Sequence, residues 1–493
     1  MRGMTRSLFL ALAIAVSAAS PVPAQSTFAE DAPKPAVPSD AKPEEKKDGD
    51  KKKDEKKDEK KDRWLAILNG EVHTLADGVL RGATIVCKNG KIHAIGQGLA
   101  APAEAATIDA AGMHVYPGLI AVNSGGIVGP EPVELTTDVF TFNMTFGLAC
   151  GWTTVASGNS AGKLTYGTLD GLLLRNNLWL RMSYQSGDER RRVRDELEAA
   201  REFLRKKKLF DQLTAQNLPA EEPKPEGVNG EMLRLLSGGA LARFDAFTAE
   251  DLGAIAKLVT EYGFKAVVFG ANEGWVVADQ LGRAGISCVV TPMTARVERD
   301  GRLNRPNGST IENAALLWQH GVKVAVIPQG TRLGSDGMID RDLRTPTLEA
   351  ALAVRGGLPR EAAEAALTIN AARVLGIDDR VGSIEVGKDA DLIVLDRELL
   401  DYESFVHYAV VNGRLAYDKD KEPLFRALRP RPSTYQEPKP VEPPKEEKKE
   451  EKPTDEKPAE KPGEKPAEKP ADEKPAEKPA EKPEEGKPEG GGP

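Results

Sequence analysis

Residues 115–125 read VYPGLIAVNSG, and this stretch decides how the rest of the chain is arranged. The pair Pro117-Gly118 leads into the apolar run Leu119, Ile120, Ala121 and Val122, which ends in the small polar residues Asn123 and Ser124. A short apolar run bounded in this way has the form of a buried strand. It reads as the first inner strand of a barrel.

C-terminal to it, apolar runs alternate with amphipathic stretches, the pattern of βαβ units and a parallel sheet. Inner strands are expected at 119–122, 153–156, 266–269, 287–291 and 322–328. Helices are expected between 138 and 151 and at 249–262, 273–284, 311–320, 346–355 and 359–375. The pattern occupies residues 117–380, about 260 residues and the usual size of a (β/α)8 TIM barrel. A charged helix at 188–213 interleaves Glu and Arg at helical spacing, which marks a solvated surface elaboration rather than an anion-binding face.

On the N-terminal side, residues 63–116 hold short runs of β-formers punctuated by Asn69-Gly70, Asp77-Gly78 and Asn89-Gly90. Such pairs between apolar runs are strong hairpin signals. Residues 381–425 return to strands, with another hairpin pair at Asn412-Gly413. Neither segment is large enough to be a domain by itself. The two ends together are expected to build one small composite β-sandwich, making the whole an α/β protein with a TIM barrel.

The remaining segments do not read as folded. Residues 1–24 have the form of a signal peptide, with Arg2 and Arg6 before an apolar run too short for a membrane span. Export to the periplasm or beyond is therefore expected. Residues 25–62, a charged linker, and 426–493, a tail repeating EKPA, are too poor in apolar residues to offset the entropy of ordering. The tail reads as a solvated spacer able to contact the cell envelope. A net charge of −8 argues against a nucleic-acid partner. Three scattered cysteines, Cys87, Cys150 and Cys288, fit neither a zinc ribbon nor a disulfide framework.

The stretch PGLI and the run LTINAARVLGIDDRVGSIEVGKDADLIVLD at 367–396 resemble the amidohydrolase superfamily, in its imidazolonepropionase-like and dihydroorotase-like branch with a composite β-sandwich. The resemblance covers roughly residues 64–419. It implies zinc at the C-terminal face of a barrel, held by a His-x-His pair of strand one, a Lys or Glu of strand four, a His each from strands five and six, and an Asp of strand eight. It also implies hydrolysis of carbon–nitrogen, non-peptide amide bonds. At the matching positions this sequence has Asn123 and Gly125, then Phe247, then Gly270, then Gln329. The strand-four residue is not identified.

The chain has five histidines. His73, His93 and His407 fall in the expected sandwich, and His114 and His320 each precede a barrel strand. None lie at i,i+2 or i,i+4, so no zinc site using two of them is expected. The stretch GNSAGKL at 158–164 is one residue short of a phosphate loop and lacks its Ser or Thr, and so reads as a polar loop at the barrel mouth. Ser124, Asn159, Lys163, Asp245, Asn272, Glu273 and Arg332 are the candidate ligand-binding residues there, with Asp245 and Lys163 a conceivable acid–base pair.

The expectation is thus an exported amidohydrolase relative without a metal cofactor, serving as a non-catalytic ligand- or partner-binding pseudoenzyme. The alternative is an active hydrolase of cyclic-amide-type bonds with an atypical or metal-free site. A small molecule, a second copy of the chain and a metal-competent relative are the partners these readings allow.

Overall fold

The structure, a computed structural model, describes residues 62–293, 300–327 and 341–438. The expected signal peptide, most of the linker, the EKPA repeats, Gln329 and Arg332 lie outside the described residues.

In chain order the first strands are β1 (Trp64–His73), β2 (Val79–Lys88), β3 (Lys91–Gln97), β4 (Ala106–Asp109), β5 (His114–Pro117) and β6 (Leu119–Ala121). Helices α1 (Val133–Thr136) and α2 (Phe142–Ala149) precede β7 (Trp152–Ser157), β8 (Ser160–Lys163), β9 (Leu173–Arg175) and β10 (Leu180–Arg181). Helices α3 (Gly187–Ala215) and α4 (Gly230–Leu236) lead to β11 (Ala242–Ala246), α5 (Ala249–Tyr262), β12 (Ala266–Gly270), α6 (Ala278–Arg283) and β13 (Ser287–Val290). After α7 (Asn313–Gln319) and β14 (Lys323–Val326) come α8 (Arg341–Arg355), α9 (Arg360–Leu367) and α10 (Ile369–Leu375). Strands β15 (Leu392–Leu395), β16 (Val406–Val411) and β17 (Arg414–Asp418) close the fold.

The two ends of the folded region do meet. One eight-stranded sheet runs β17-β16-β15-β5-β1-β2-β3, with β4 beside β1, and its seam is the antiparallel pairing of β5 with β15. The β2–β3 and β16–β17 turns are Asn-Gly pairs with both residues left-handed, as a two-residue hairpin of matching twist requires. Asn69-Gly70 behaves differently from expectation. It does not end a strand but makes a bulge inside β1, and Gly70 lies so close to Val115 that a side chain there would collide.

Strands β10 to β14 form a five-stranded sheet in which every neighbouring pair is parallel, as the alternating pattern predicts. Strand β6 is parallel to β7, but β8 turns back antiparallel to β7, so a hairpin interrupts the regular βα alternation. Inward residues of both sheets, among them Ile120, Val122, Ala156, Val267, Phe269, Val289 and Ala325, share one buried cluster, completed by Ala371, Val374 and Leu375 from α10. A larger cluster fills the space between strands and outer helices, and a third lies within the eight-stranded sheet.

Local chemistry sets the helix ends. Thr248 caps α5 by accepting from the Asp251 N–H, and Gly263 ends the helix in the left-handed region. Ser186 and Glu189 form a reciprocal capping box on α3, which buries only the seam Val193, Leu197 and Ala200. The single helix expected at 359–375 is two, because the backbone breaks at Thr368, whose hydroxyl donates to the Glu364 carbonyl.

Candidate functional site

The C-terminal ends of β6, β7, β11, β12 and β13 carry most of the residues singled out above. Ser124 is buried and both its backbone N–H and its hydroxyl donate to the Ala156 carbonyl, each at 2.8 Å, so it ties β6 to β7. Gly125 is buried and Asn123 half-buried. Phe247 follows β11 and is half exposed, with its ring against Gly270, where a Cβ would collide with it. Gly270 has φ of 98° and Ala271 φ of 39°, so the chain leaves β12 through a left-handed turn. The phenyl ring and the glycine beneath it occupy the two positions where the resemblance implies histidines.

Deeper in the shared inner cluster is a group that the sequence reading missed. Arg243, an inward residue of β11, is buried with its guanidinium carbon 3.7 Å from the Phe269 ring centre and 4.9 Å from that of Trp179. Its Nη2 donates to Asp245 Oδ1 at 3.2 Å, while its Nε is buried without a hydrogen-bond partner among the described residues. Burial pulls the Arg243 pKa below the usual range, with the Asp245 carboxylate opposing the shift. Cation–π contact with two desolvated rings stabilises a guanidinium in such a place. The signal was present in ALARFDAF: an arginine at an inward position of an otherwise apolar strand.

Asn159 supports this group. Its side-chain oxygen accepts from the Trp179 N–H at 2.9 Å and its amide donates to the Trp179 carbonyl at 3.2 Å. It therefore positions the ring that carries Arg243 instead of offering itself to a ligand. Glu273 is also occupied: it accepts from the amides of Gly308 at 2.7 Å and Ala249 at 2.9 Å and faces Arg305. Burial would raise its pKa, but these donors and the Arg305 charge outweigh it and hold the carboxyl below its ordinary value. Asn272 lines a small cleft with Thr291, Ser309 and Asn313. Asp245 is exposed over half its side chain.

Lys163 departs most from expectation. It is fully buried at the end of β8, 2.7 Å from Asp389, 2.8 Å from Asp391 and 2.7 Å from the Asn412 side-chain oxygen. It cannot pair with Asp245 as acid and base. The stretch 158–164 is a β7–β8 hairpin, with the amides of Lys163 and Leu164 donating to Leu172 and Thr153. It is a hairpin and not a phosphate loop; its turn, Gly158-Asn159, follows the C-terminal end of β7, while Lys163 lies at the other end of β8.

Among the histidines, His73 and His114 have no spacing in sequence that would pair them. The parallel pairing of β1 with β5 brings their ring nitrogens to 3.1 Å on the eight-stranded sheet.

Zinc requires imidazole, thiolate or carboxylate donors. At the strand ends described, the positions matching the ligands implied by resemblance offer an amide, two glycines and a phenyl ring, and the nearby Asp245 is engaged by Arg243. These residues do not fit the metal.

The class that the structure defines is a mixed α/β fold with parallel strands over one inner core. Residues 248–417 match the Amidohydrolase family. Over 91 residues the chain is 33% identical to a 5-methylthioadenosine/S-adenosylhomocysteine deaminase of Teredinibacter turnerae, a match covering 18% of this chain and 21% of that protein. The chain thus spans about a fifth of the length of the curated relative it matches. The solved amidohydrolase of Thermotoga maritima MSB8 is similar in fold, with a TM-score of 0.53 at 23% identity, covering 72% of this chain and 100% of that one. The family match over residues 248–417 is in keeping with the resemblance to the amidohydrolase superfamily read from the sequence.

Proposed function

We propose that this chain is a ligand-binding member of its superfamily in which the two strand sets close a (β/α)8-type barrel and Arg243 takes the place of a catalytic metal. The observation that carries the reading is the buried guanidinium held between Trp179 and Phe269, with one side on Asp245 and Nε unpartnered among the described residues. An electrophilic centre that activates water is replaced by a cation that recognises an anionic group on a small molecule without breaking it. The form of residues 1–24 supports an exported protein, and cell fractionation tests that part.

The test is turnover by the full-length protein, with zinc supplied, against adenosine-type deaminase substrates and cyclic amides. No turnover above that of Arg243→Met is expected. Chelator-sensitive turnover that disappears in Asp245→Asn would overturn the reading in favour of an active hydrolase with an atypical site. Size-exclusion of the protein alone and with a metal-competent superfamily member tests whether the ligand-binding chain works in a complex.

A further inference from the structure

Strand β1 carries Glu71 and His73 at i and i+2, so both side chains stand on one face of the sheet. Across the parallel pairing of β1 and β5, His114 lies opposite Glu71. Val72 and Val115 point the other way, into the apolar cluster of the sheet. Three side chains with lone pairs therefore converge on the face that also carries Tyr116, whose ring stacks on His73 with centres 4.0 Å apart. One donor atom from each of Glu71, His73 and His114 lies within 4.8 Å of the others.

We propose that Glu71, His73 and His114 form a binding site for a zinc-class divalent ion, outside the strand-end region and independent of it. Two nitrogens bound to one tetrahedral zinc at about 2.0–2.1 Å sit about 3.3 Å apart. His73 Nε2 and His114 Nδ1 are 3.1 Å apart, close to that separation. Glu71 Oε1 is 3.9 Å from His73 Nε2, and its side chain is one-third exposed, so a small rotation completes a third ligand. Its present partner, Arg81, is exposed over 84% of its side chain and is lost at little cost. Stacking on Tyr116 fixes the ring direction, as a ligand histidine requires. Three protein donors leave a fourth position for water, and a set of two imidazoles and one carboxylate suits zinc, nickel or copper over magnesium or calcium. An ion here would clamp β1 to β5, next to the seam with β15 where the two ends of the folded region meet.

The test is titration of the full-length, chelator-treated protein with zinc by calorimetry, and with cobalt by its visible absorption. One ion per chain is expected at this site, with affinity at least tenfold weaker in His73→Ala and His114→Ala and less affected in Glu71→Gln. Zinc should also protect His114 of the wild-type protein from diethylpyrocarbonate, a readout that needs no variant to fold. Absence of both binding and protection would leave only a histidine–histidine hydrogen bond and overturn the proposal. Binding that survives His73→Ala/His114→Ala but is lost in Asp245→Ala would put the ion at the strand ends, overturning this proposal and the metal-free reading of those ends together. Loss in the histidine variants alone supports the site and leaves the Arg243 reading untouched.

Discussion

Lys163 Nζ lies 2.7 Å from Asp389 Oδ2, with both side chains shut off from solvent although 226 positions separate them in sequence. The contact ties the β7–β8 hairpin to the segment entering β15, and Arg380 and Lys91 reach the same carboxylate at 2.6 and 3.0 Å. The Asp residues of the GKDADL run are therefore explained here by structure: they neutralise a buried lysine. Replacing Lys163 by Met takes from Asp391 its paired lysine and leaves Asp389 to Arg380 and Lys91 alone. A loss of about 3–5 kcal/mol is expected in denaturant unfolding. Lys163→Met/Asp389→Asn should recover part of it, and a single variant within about 1 kcal/mol of wild type would refute the assignment.

Burial would raise the Asp389 pKa, but Lys163 and its neighbours lower it below the ordinary value of 3.8. Its stability contribution is therefore present above that value and lost as pH falls further. Glu364 runs the other way. Burial, reinforced by Glu361 and Glu398 and opposed by Arg360, pushes its pKa up from 4.5 to about 7. The folded state then holds a proton that the unfolded state releases, so this contribution is complete below pH 4.5 and is lost as pH rises through about 7. Glu364→Gln should flatten the decline in stability between these limits, by about 3 kcal/mol at most. Equal slopes in the two proteins, measured by chemical unfolding across that range, would count against it.

Glu273 holds the Gly308 loop against the start of α5 through two backbone amides. Glu273→Ala should cost about 2 kcal/mol or more, since two charge-assisted hydrogen bonds are lost from a buried carboxylate. Hydrogen exchange should speed up at Ala249 and Gly308 together and leave the β1–β2 hairpin unchanged. Unaltered exchange at both amides would show that the carboxylate does not hold them.

Gly118 in the PGLI stretch packs against Thr153 of β7 so closely that any Cβ would overlap that side chain. Gly118→Ala should destabilise by about 1–3 kcal/mol through overpacking. Thr153→Ser should relieve part of the strain in the double variant, as a thermal-unfolding cycle would show. Additive effects of the two substitutions would mean that the residues do not share this contact.

Much of the fold was legible because its signals are local. The Asn89-Gly90 and Asn412-Gly413 turns were readable because a left-handed pair is cheap only for such residues. The bounds of α5, from the Thr248 cap to Gly263, follow from hydrogen bonds within one turn of the chain. Asn69-Gly70 carries the same signal with a different outcome, because a left-handed Asn suits a bulge as well as a turn and only the pairing with β2 tells them apart.

The absence of histidine at positions 123, 125, 247 and 270 was likewise a property of the sequence alone. What fills those places was not. Arg243 under two rings, Lys163 buried among aspartates, and His73 against His114 are all contacts between segments distant in sequence. Residue type determines which charges and rings exist, but desolvation and Coulomb attraction act through space. Their magnitude is set by which strands lie side by side, and that is known only once the chain has folded.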